Sequence, residues 1–307
     1  MRANQDNPEV VGTGFTVLDR IYANGDFTAE ALGGSCGNIL LSLAMLNRAV
    51  TPVLSLGCDD VGRRLVDEFQ AAGADIRFIS LHLDRSSPVL AQELDTGTGE
   101  HRFRFTCLET DDEFPRYEPI GASEVSNAEV AIEACSVFYA DRISIGIVEA
   151  MESARMAGAL VYFEPSDIGD EDLFDRALRA TSILKYSADR LDGTLGARMA
   201  ACGAISVVTH GADGLELRQG AEAHWCEAVR IDQVTDTCGS GDMVSVGLID
   251  WLLTQREIHV AEMTLGSILH GVIAGQRLAA ENCGFAGARG VFHEMGAIHA
   301  RRILSQP

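Results

Sequence analysis

The chain alternates short apolar runs with amphipathic stretches over most of its 307 residues. Short β-rich apolar runs are typical of buried strands, and apolar residues at helical spacing are typical of amphipathic helices. Strands and helices that alternate in this way favour right-handed crossovers between parallel strands. The sequence therefore predicts an α/β fold with a mostly parallel central sheet, in a single domain over residues 1–307.

The predicted strands are Val10–Val17, Val53–Leu56, Ser136–Ala140, Ala159–Phe163, Ser182–Lys185 and Ala204–Thr209. The predicted helices are Gly37–Asn47, Gly62–Ala72, Ile147–Ala157, Asp170–Ala180, Ala188–Ala200, Asp242–Thr254 and Val260–Glu281.

Two segments, at about 18–32 and 88–106, break this alternation. In the second segment, Val89–Leu94 and His101–Phe105 flank the turn Asp95–Gly99. Two β-rich runs around a glycine-containing turn predict a β-hairpin. A hairpin on an α/β body is expected to be a lid or an interface.

The charge of the chain limits its partners. There are 24 Lys and Arg residues against 45 Asp and Glu, and a net charge of −21 repels nucleic acid and anionic membranes. The N-terminus is polar, and no window reaches the roughly 20 apolar residues that span a bilayer. The 8 cysteines are dispersed, with no Cys-x-x-Cys pair. We therefore expect a soluble, cytoplasmic protein with reduced thiols that binds neither nucleic acid nor membrane.

A glycine-rich motif stands directly before the apolar run Met243–Leu253, and it reads Asp236-Thr237-Cys238-Gly239-Ser240-Gly241-Asp242. The N–H groups of Gly239, Ser240 and Gly241, at a helix N-terminus, can surround an anion such as phosphate and stabilise charge on a moving phosphoryl group. Because a phosphate repels a carboxylate, Asp242 is expected to take the proton from a hydroxyl that attacks phosphorus. The ordinary alternative, a loop that ends in a helix cap, explains a Gly-x-Gly pair better than it explains the whole pattern.

At this motif the chain resembles the PfkB/ribokinase family of ATP-dependent sugar and nucleoside kinases, whose hallmark is Asp-Thr-x-Gly-Ala-Gly-Asp; only Ser240 differs within the fixed part. The segment Gly33–Asn38 is similar to the Gly-Gly-x-x-x-Asn segment that opens the family's first helix. Further matches at Val11–Asp19, Gly57–Gly62 and Val207–Gly214 extend the resemblance over nearly the whole chain. The resemblance implies a ribokinase-like three-layer α/β/α sandwich, with a small β lid that is built from the two irregular segments, covers the sugar and often mediates dimers.

The resemblance also implies an acceptor site. Asp19 follows an apolar strand, where α/β sheets bind ligands, and its carboxylate can accept two sugar hydroxyls. Gly33 and Gly34 permit close approach of the backbone, and Asn38 offers an amide donor and acceptor to a polyol. The ordinary alternatives are a solvated loop aspartate and a capped helix turn. The implied nucleotide site consists of Lys185, Ser187, Thr209, Gly211, Gly214, Gly239, Gly241 and Asn282.

Metal binding and the lid leave alternatives open. Asp236 is expected either to help a monovalent cation such as K⁺ order the loop, as the resemblance implies, or to form a local turn or cap. We expect Mg²⁺ to be held through phosphate and water. Arg104 and His101 of the hairpin are candidates for substrate contact, against a solvated strand face. Cys238 occupies a variable position of the family, so catalysis by its thiol is not expected.

The sequence departs from the family at two places. Where the family has Asn-x-x-Glu, which organises water around Mg²⁺, this chain has Ser187 and Arg190, with Asp189 as a neighbouring carboxylate. Phe163–Ser166 replaces a common Asp-x-Asn-x-Arg segment, which leaves the substrate contacts of that loop open.

Together these observations predict an ATP- and Mg²⁺-dependent kinase that phosphorylates a hydroxymethyl group of a sugar or sugar acid, and a homodimer formed through the lid. One alternative is a nucleoside kinase of the same fold, which would need a more apolar acceptor pocket. The other is a catalytically impaired protein that binds sugar or nucleotide and regulates a partner. An aromatic content of 6% favours the sugar, and the intact Asp242 favours catalysis.

Overall fold

A computed structural model describes residues 7–97, 101–191, 195, 198, 202–255 and 263–306. Its strands are β1 Val10–Thr13, β2 Val17–Ala23, β3 Asp26–Gly33, β4 Val50–Pro52, β5 Leu54–Gly57, β6 Ile79–His82, β7 Val89–Leu94, β8 His101–Arg104, β9 Val137–Ala140, β10 Leu160–Phe163, β11 Ile183–Ser187, β12 Ile205–Thr209, β13 Gly214–Gln219 and β14 Glu222–Glu227. Its helices are α1 Ser35–Met45, α2 Asp60–Ala71, α3 Ala122–Ala134, α4 Ile145–Met156, α5 Glu171–Ala180, α6 Ser240–Leu252, α7 Leu265–Asn282, α8 Gly290–Glu294 and α9 Gly296–Leu304.

The main sheet has eight strands in the order β14-β13-β12-β11-β10-β9-β1-β4, and only the β12–β13 and β13–β14 pairs are antiparallel. Successive side chains of a strand point to opposite faces, so strands covered on both sides are apolar throughout. Tyr139 and Tyr162 belong to the apolar core that includes α1, α6 and α7. Phe138 and Phe163 belong to the opposite core, with α3, α4 and α5. The result is a three-layer α/β/α sandwich.

The strand order reverses at β1, which lies between β4 and β9. Open α/β sheets bind ligands at the carboxyl ends of the strands where the order reverses. Gly14 ends β1 with a φ of 144°, and an added Cβ there would lie 1.8 Å from Asp141 Oδ1. The predicted strand Val10–Val17 is therefore wrong in extent, because β1 stops at Thr13 and the chain leaves the main sheet.

The two segments that break the alternation pair with each other in a separate four-stranded sheet, ordered β3-β2-β7-β8, which we call the lid sheet. Strand β2 runs antiparallel to β3 and parallel to β7, and β7 runs antiparallel to β8. The predicted hairpin is thus confirmed, although Thr98 and Gly99 of its turn lie outside the described residues. The lid sheet is continuous in sequence with the start of α1, which brings it next to the carboxyl ends of the main strands.

Other expectations need adjustment. The predicted strand Val53–Leu56 is confirmed as β5, but β5 pairs with β6 in a small sheet of its own, and β4 takes the place beside β1 in the main sheet. The predicted helix Ala188–Ala200 lies largely outside the described residues, as does Val260 at the start of another. Helix α3 and the β13–β14 hairpin were not predicted. Within the described part of the chain, no helix has both the length and the hydropathy needed to cross a membrane.

Candidate active site

The segment 236–241, called the anion loop below, enters α6 through Gly239. Gly239 has a φ of 70°, and an added Cβ would lie 2.5 Å from a carbonyl oxygen of the segment that follows α7, so only glycine fits. The Ser240 N–H donates to the Thr237 carbonyl at 3.2 Å. Among the described residues, the N–H groups of Gly239, Gly241 and Asp242 have no acceptor. These three donors, not the predicted set that included Ser240, are available to an anion.

Asp236 is 1% exposed, and both of its carboxylate oxygens accept hydrogen bonds from the backbone. Oδ1 accepts the Cys238 N–H at 2.8 Å, and Oδ2 accepts the Gly287 N–H at 2.8 Å. The first bond forms an Asx turn, one of the two roles expected from the sequence. The second bond attaches the anion loop to the segment before α8.

Asn282, predicted as a nucleotide-binding residue, is completely buried. Its Nδ2 donates to the carbonyl oxygens of Cys238 at 3.4 Å and Ala288 at 3.3 Å, and its Oδ1 accepts the Val291 N–H at 3.1 Å. The amide is engaged at both ends within the protein. Asn282 therefore positions the anion loop instead of facing a ligand.

Asp242 lies in the first turn of α6 and is 8% exposed. Its Oδ2 accepts a hydrogen bond of 2.8 Å from Asn38 Nδ2. Burial and then the negative charge of Glu164 raise the pKa of Asp242 to about 7, while Lys185 and Asn38 oppose this shift. A carboxylate whose pKa is near neutrality is well matched to general base catalysis.

Asp19 lies on β2 of the lid sheet and is 6% exposed. An added Cβ on Gly33 would lie 1.8 Å from Asp19 Oδ2, so the glycine on β3 makes room for this carboxylate. Gly34, with a φ of 79°, turns the chain from β3 into α1. Burial raises the pKa of Asp19 to about 7, although the positive charge of Arg289 opposes the shift.

Arg289 joins this cluster from the segment before α8, and the sequence did not single it out. It is 3% exposed, and Nη1 donates to Asn38 Oδ1. Its Nη2 also lies 3.9 Å from Glu68 Oε2 on α2. The structure thus brings Asp19, Asn38, Asp242 and Arg289 from four separate parts of the sequence into one buried cluster, which we call the acceptor cluster.

A second charged pair lies beside Asp242. Lys185 on β11 forms a salt bridge with Glu164, which follows β10, and their side chains are 3% and 13% exposed. Glu164 Oε2 also accepts the Ser245 hydroxyl at 2.6 Å, one turn after Asp242 on α6. An added Cβ on Gly241 would lie 3.3 Å from Lys185 Nζ, so the ammonium group reaches the start of α6. Glu164 therefore holds the Lys185 ammonium group near the start of α6.

Asp141 follows β9 at the point where the strand order reverses, and it is completely buried. Its Oδ1 accepts the Phe15 N–H at 2.7 Å, and its Oδ2 accepts the Cys36 N–H at 3.1 Å. Burial raises the pKa of Asp141 to about 6, against the charge of Arg142 and these two hydrogen bonds. Asp141 fixes the two turns that lead into the lid sheet and into α1.

The predicted nucleotide residues lie at the edge formed by the ends of β11 and β12. Ser187 and Thr209 stand opposite each other in the register of these strands. Ser187 Oγ accepts the Asp189 N–H at 3.3 Å, so it caps the following turn. Gly211 and Gly214, with φ of 58° and 129°, shape the turn between β12 and β13.

The side chains of the lid sheet differ in whether they reach the site. His101 Nδ1 lies 3.9 Å from Asp236 Oδ1, so β8 reaches the anion loop. Gln92 on β7 is 1% exposed, and its Nε2 has no partner among the described residues. Arg104, expected as a substrate contact, is instead half exposed and paired with Glu93 on the neighbouring strand.

Burial raises the pKa of the Cys238 thiol well above its usual range, which disfavours a nucleophilic thiolate.

Sequence reasoning missed Glu164, Asp141 and Arg289 as members of the site. Glu164 and Asp141 each follow a short apolar strand directly, and the carboxyl ends of parallel strands gather at one edge, so this signal was present in the sequence. Arg289 carries no comparable signal, because it belongs to a short loop between helices.

The sequence of residues 23–268 matches the family model described as pfkB family carbohydrate kinase. The chain is also similar to the aminoimidazole riboside kinase of Salmonella typhimurium, with 31% identity over an alignment 246 residues long, and the match covers 71% of this chain and 72% of that protein.

Solved structures give the same picture of the fold. The fructokinase with bound ATP from Xylella fastidiosa has a TM-score of 0.75 at 20% identity, over 97% of this chain and 99% of that one. A putative ribokinase II from E. coli, in complex with ATP and Mg²⁺, has a TM-score of 0.72 at 16% identity, over 97% of this chain and 99% of that one. At these identities the likeness shows the ribokinase-like fold alone.

Proposed function

We propose that this chain, which belongs to the pfkB family of carbohydrate kinases, transfers the γ-phosphoryl group of ATP to a hydroxymethyl group of a sugar or sugar acid. Family membership confirms the resemblance found in the sequence, the ribokinase-like fold and the assignment as an ATP-dependent kinase. The observation that carries the proposal is the position of Asp242. This buried carboxylate stands in the first turn of α6, beside backbone N–H groups that can receive a phosphoryl group.

Asp242 would act as the general base. With Oδ2 bound to Asn38, Oδ1 is left to accept the proton of the acceptor hydroxyl as that oxygen attacks phosphorus. The N–H groups of Gly239 and Gly241 and the Lys185 ammonium would stabilise the charge that develops on the transferred group. Asp19 would orient the acceptor through its other hydroxyls, since its Oδ1 has no partner among the described residues.

The residues around the anion loop fit a nucleotide phosphate, because backbone donors at a helix N-terminus and a lysine are typical phosphate ligands. We propose that Mg²⁺ enters with ATP, bound mainly to phosphate oxygens and water, and that it neutralises phosphate charge. Asp236 would be the residue through which K⁺ orders the anion loop, since each of its oxygens accepts one backbone N–H and keeps a second lone pair.

We further propose that residues 1–307 form one kinase domain with the lid sheet inserted, in a cytoplasmic protein. A homodimer through the lid sheet is part of the proposal, because this sheet exposes Phe27 at 48% and Phe103 at 44%, and its edge strands β3 and β8 have unpaired sides.

The nucleoside kinase stays as the second candidate, because one relative acts on a riboside that carries an aminoimidazole ring. The chemistry at Asp242 would be the same, and only the groups that surround the acceptor would differ. The impaired regulator is disfavoured, because Lys185 and Glu164 supply charged groups near the reaction site despite the altered residues Ser187 and Arg190.

The test is ADP release from Mg-ATP across ketoses, aldoses, sugar acids and nucleosides, with EDTA as the metal control. Acceptor-dependent release that requires Mg²⁺ is expected, and the responding acceptor names the substrate class. Release with nucleosides alone would replace the sugar by the second candidate. Binding of ATP and sugar in melting experiments, with no release under any divalent metal, would replace the kinase by the regulator.

A further inference from the structure

The Asn38 side chain stands between a positive and a negative group. Its Nδ2 donates to Asp242 Oδ2 at 2.8 Å, and its Oδ1 accepts from Arg289 Nη1. A side-chain amide has a donor end and an acceptor end, so it can rotate by half a turn without changing shape. In the rotated state Oδ1 would face the Asp242 carboxylate, and two acceptors would meet. Something must therefore fix which end of the amide faces Asp242.

Arg289 can do this because a guanidinium group only donates hydrogen bonds. Facing it, Asn38 must present Oδ1, and Nδ2 is then directed to Asp242. Arg289 is itself well held, at 3% exposure, with Glu68 3.9 Å away. Its segment is attached to the anion loop by Asp236 and Asn282, so its position is set by the same backbone that shapes the phosphoryl site.

We propose that Arg289 is a positioning residue that locks the Asn38 amide, so that Asn38 donates to one oxygen of Asp242 and leaves the other for the acceptor hydroxyl. The inference rests on the proposed role of Asp242 as the base. It adds a function for a residue that need not touch the acceptor, and it explains why the guanidinium group is buried among carboxylates.

The charged groups that face Asp242 determine how the loss of Arg289 will be seen. Glu164 and Asp141 raise the pKa of Asp242, and Lys185 and the Asn38 hydrogen bond lower it. Asp19 and Arg289 also interact with Asp242 through their charges. If the amide rotates, Asp242 loses a donor, its pKa rises, and the acid limb of the kcat profile moves to higher pH.

The test is a double-mutant cycle with Arg289→Met, Asn38→Ala and the double variant, each measured for kcat and KM from pH 5 to pH 9. Arg302→Met, on the exposed surface of α9, is the matched control and should behave as wild type. The kcat of each single variant at pH 7 is expected to fall about tenfold, the usual effect of losing a hydrogen bond to a charged group. The acid limb of its kcat profile is expected to move to higher pH. The double variant should move it no further.

Additive shifts in the double variant would overturn the proposal, because Arg289 would then act on Asp242 directly through its charge. A raised acceptor KM with an unmoved acid limb would also overturn it, because Arg289 would then bind the acceptor. Should Arg289→Met fail to fold, Arg289→Gln, which keeps an N–H donor and removes the charge, is measured with Asn38 intact and with Asn38→Ala. A wild-type profile, or a shift that vanishes with Asn38→Ala, supports the proposal, and a shift that persists contradicts it. Full turnover in Asp242→Asn would instead refute the proposed function itself.

Discussion

The proposed acceptor side and the proposed nucleotide side of the site are built in different ways. On the acceptor side, the four residues of the acceptor cluster are each less than a tenth exposed and are connected by side-chain hydrogen bonds and opposite charges. On the nucleotide side, Ser187 and Thr209 are only partly buried, and they lie beside a glycine turn. An added Cβ at Gly211 would meet nothing within 4 Å.

This difference separates two tasks. The acceptor side holds buried charges in place through contacts within the protein, which destabilises the fold but would pre-organise the base and the donors. The nucleotide side offers strand ends and a turn with few fixed side-chain contacts. We therefore expect substitutions on the acceptor side to change turnover and stability strongly, and those on the nucleotide side to change mainly the KM for ATP.

The largest effect is expected from Lys185→Met, which breaks the buried ion pair. Glu164 would be left 13% exposed and without its cation, beside Asp242. The free energy of unfolding should fall by about 3–5 kcal/mol, measured by urea denaturation. Turnover should fall about a hundredfold, because in the proposed mechanism the ammonium group would also stabilise charge on the transferred group.

The control for this change is the double variant Lys185→Met/Glu164→Gln. It leaves no unpaired buried charge, so it should recover much of the stability while turnover stays low. Wild-type stability in Lys185→Met alone would show that the pair does not organise the acceptor side.

Glycine substitutions compare the anion loop, which leads into Asp242, with the glycine turn of the nucleotide side. Gly239 and Gly211 have similar φ values, 70° and 58°, so an alanine would be strained at both, by about 1–2 kcal/mol. Only at Gly239 would the added methyl also clash, 2.5 Å from a backbone oxygen. Gly239→Ala should lower kcat by about a hundredfold, since the anion loop must shift. Gly211→Ala should keep kcat within about threefold of wild type. Equal losses in steady-state kinetics would contradict the proposed difference.

The pH dependence should also separate the two sides. The pKa values of both Asp19 and Asp242 are raised to about 7, so kcat/KM for the acceptor should fall at least about tenfold per pH unit below this value. The affinity for ATP should change less over the same range. An acceptor kcat/KM that stays flat down to pH 5 would rule out an essential carboxylate with a raised pKa.

The same raised pKa values also predict how stability depends on pH, and this dependence is opposite in direction to that of kcat/KM. Because the folded pKa of each group lies above its ordinary 3.8, the folded protein binds more protons than the unfolded chain between pH 3.8 and about 7. The contribution of these groups to the free energy of unfolding therefore decreases as pH rises through that window. Asp242→Asn should remove its share and melt at a higher temperature than wild type at pH 8. A lower melting temperature at pH 8 would contradict the burial argument.

The smallest effect is expected on the nucleotide side from Ser187→Ala. Its hydroxyl accepts a single local N–H bond at 3.3 Å, and stability should change by less than about 0.5 kcal/mol. The KM for ATP should rise about twofold to threefold with kcat unchanged, as for a weak contact made equally in ground and transition states. A fall in kcat above tenfold would place Ser187 with the acceptor side.

The sequence could predict those parts of the site that depend on local pattern. The anion loop and Asp242 are contiguous in the chain, and the motif sets both the glycine turn and the helix that follows. Most core strands could also be predicted from the sequence, because buried parallel strands are apolar throughout. The extent of β1 could not be predicted, because Gly14 is required only by the approach of Asp141. Asp141 is 127 positions away along the chain and adjacent only in the fold.

The acceptor cluster could be predicted only in part for the same reason. Asp19 and Asn38 are in matching motif positions, but the partners that orient Asn38 come from residues 242 and 289. Asn282 was assigned to the nucleotide because the resemblance places the family's late adenine-side loop there, whereas the chain folds this amide inward to join two loops. Such long-range hydrogen bonds leave no periodic trace in a single sequence.

The most direct test of the central claim is Asp242→Asn, assayed for turnover and for equilibrium binding of ATP and of the acceptor found in the panel. The change removes the base and keeps the shape of the side chain. Turnover should fall by about 10²–10⁴, the usual contribution of a general base, while both ligands bind with affinities within about threefold of wild type. Retained turnover would contradict the role of Asp242 and, with it, the proposed organisation of the acceptor side.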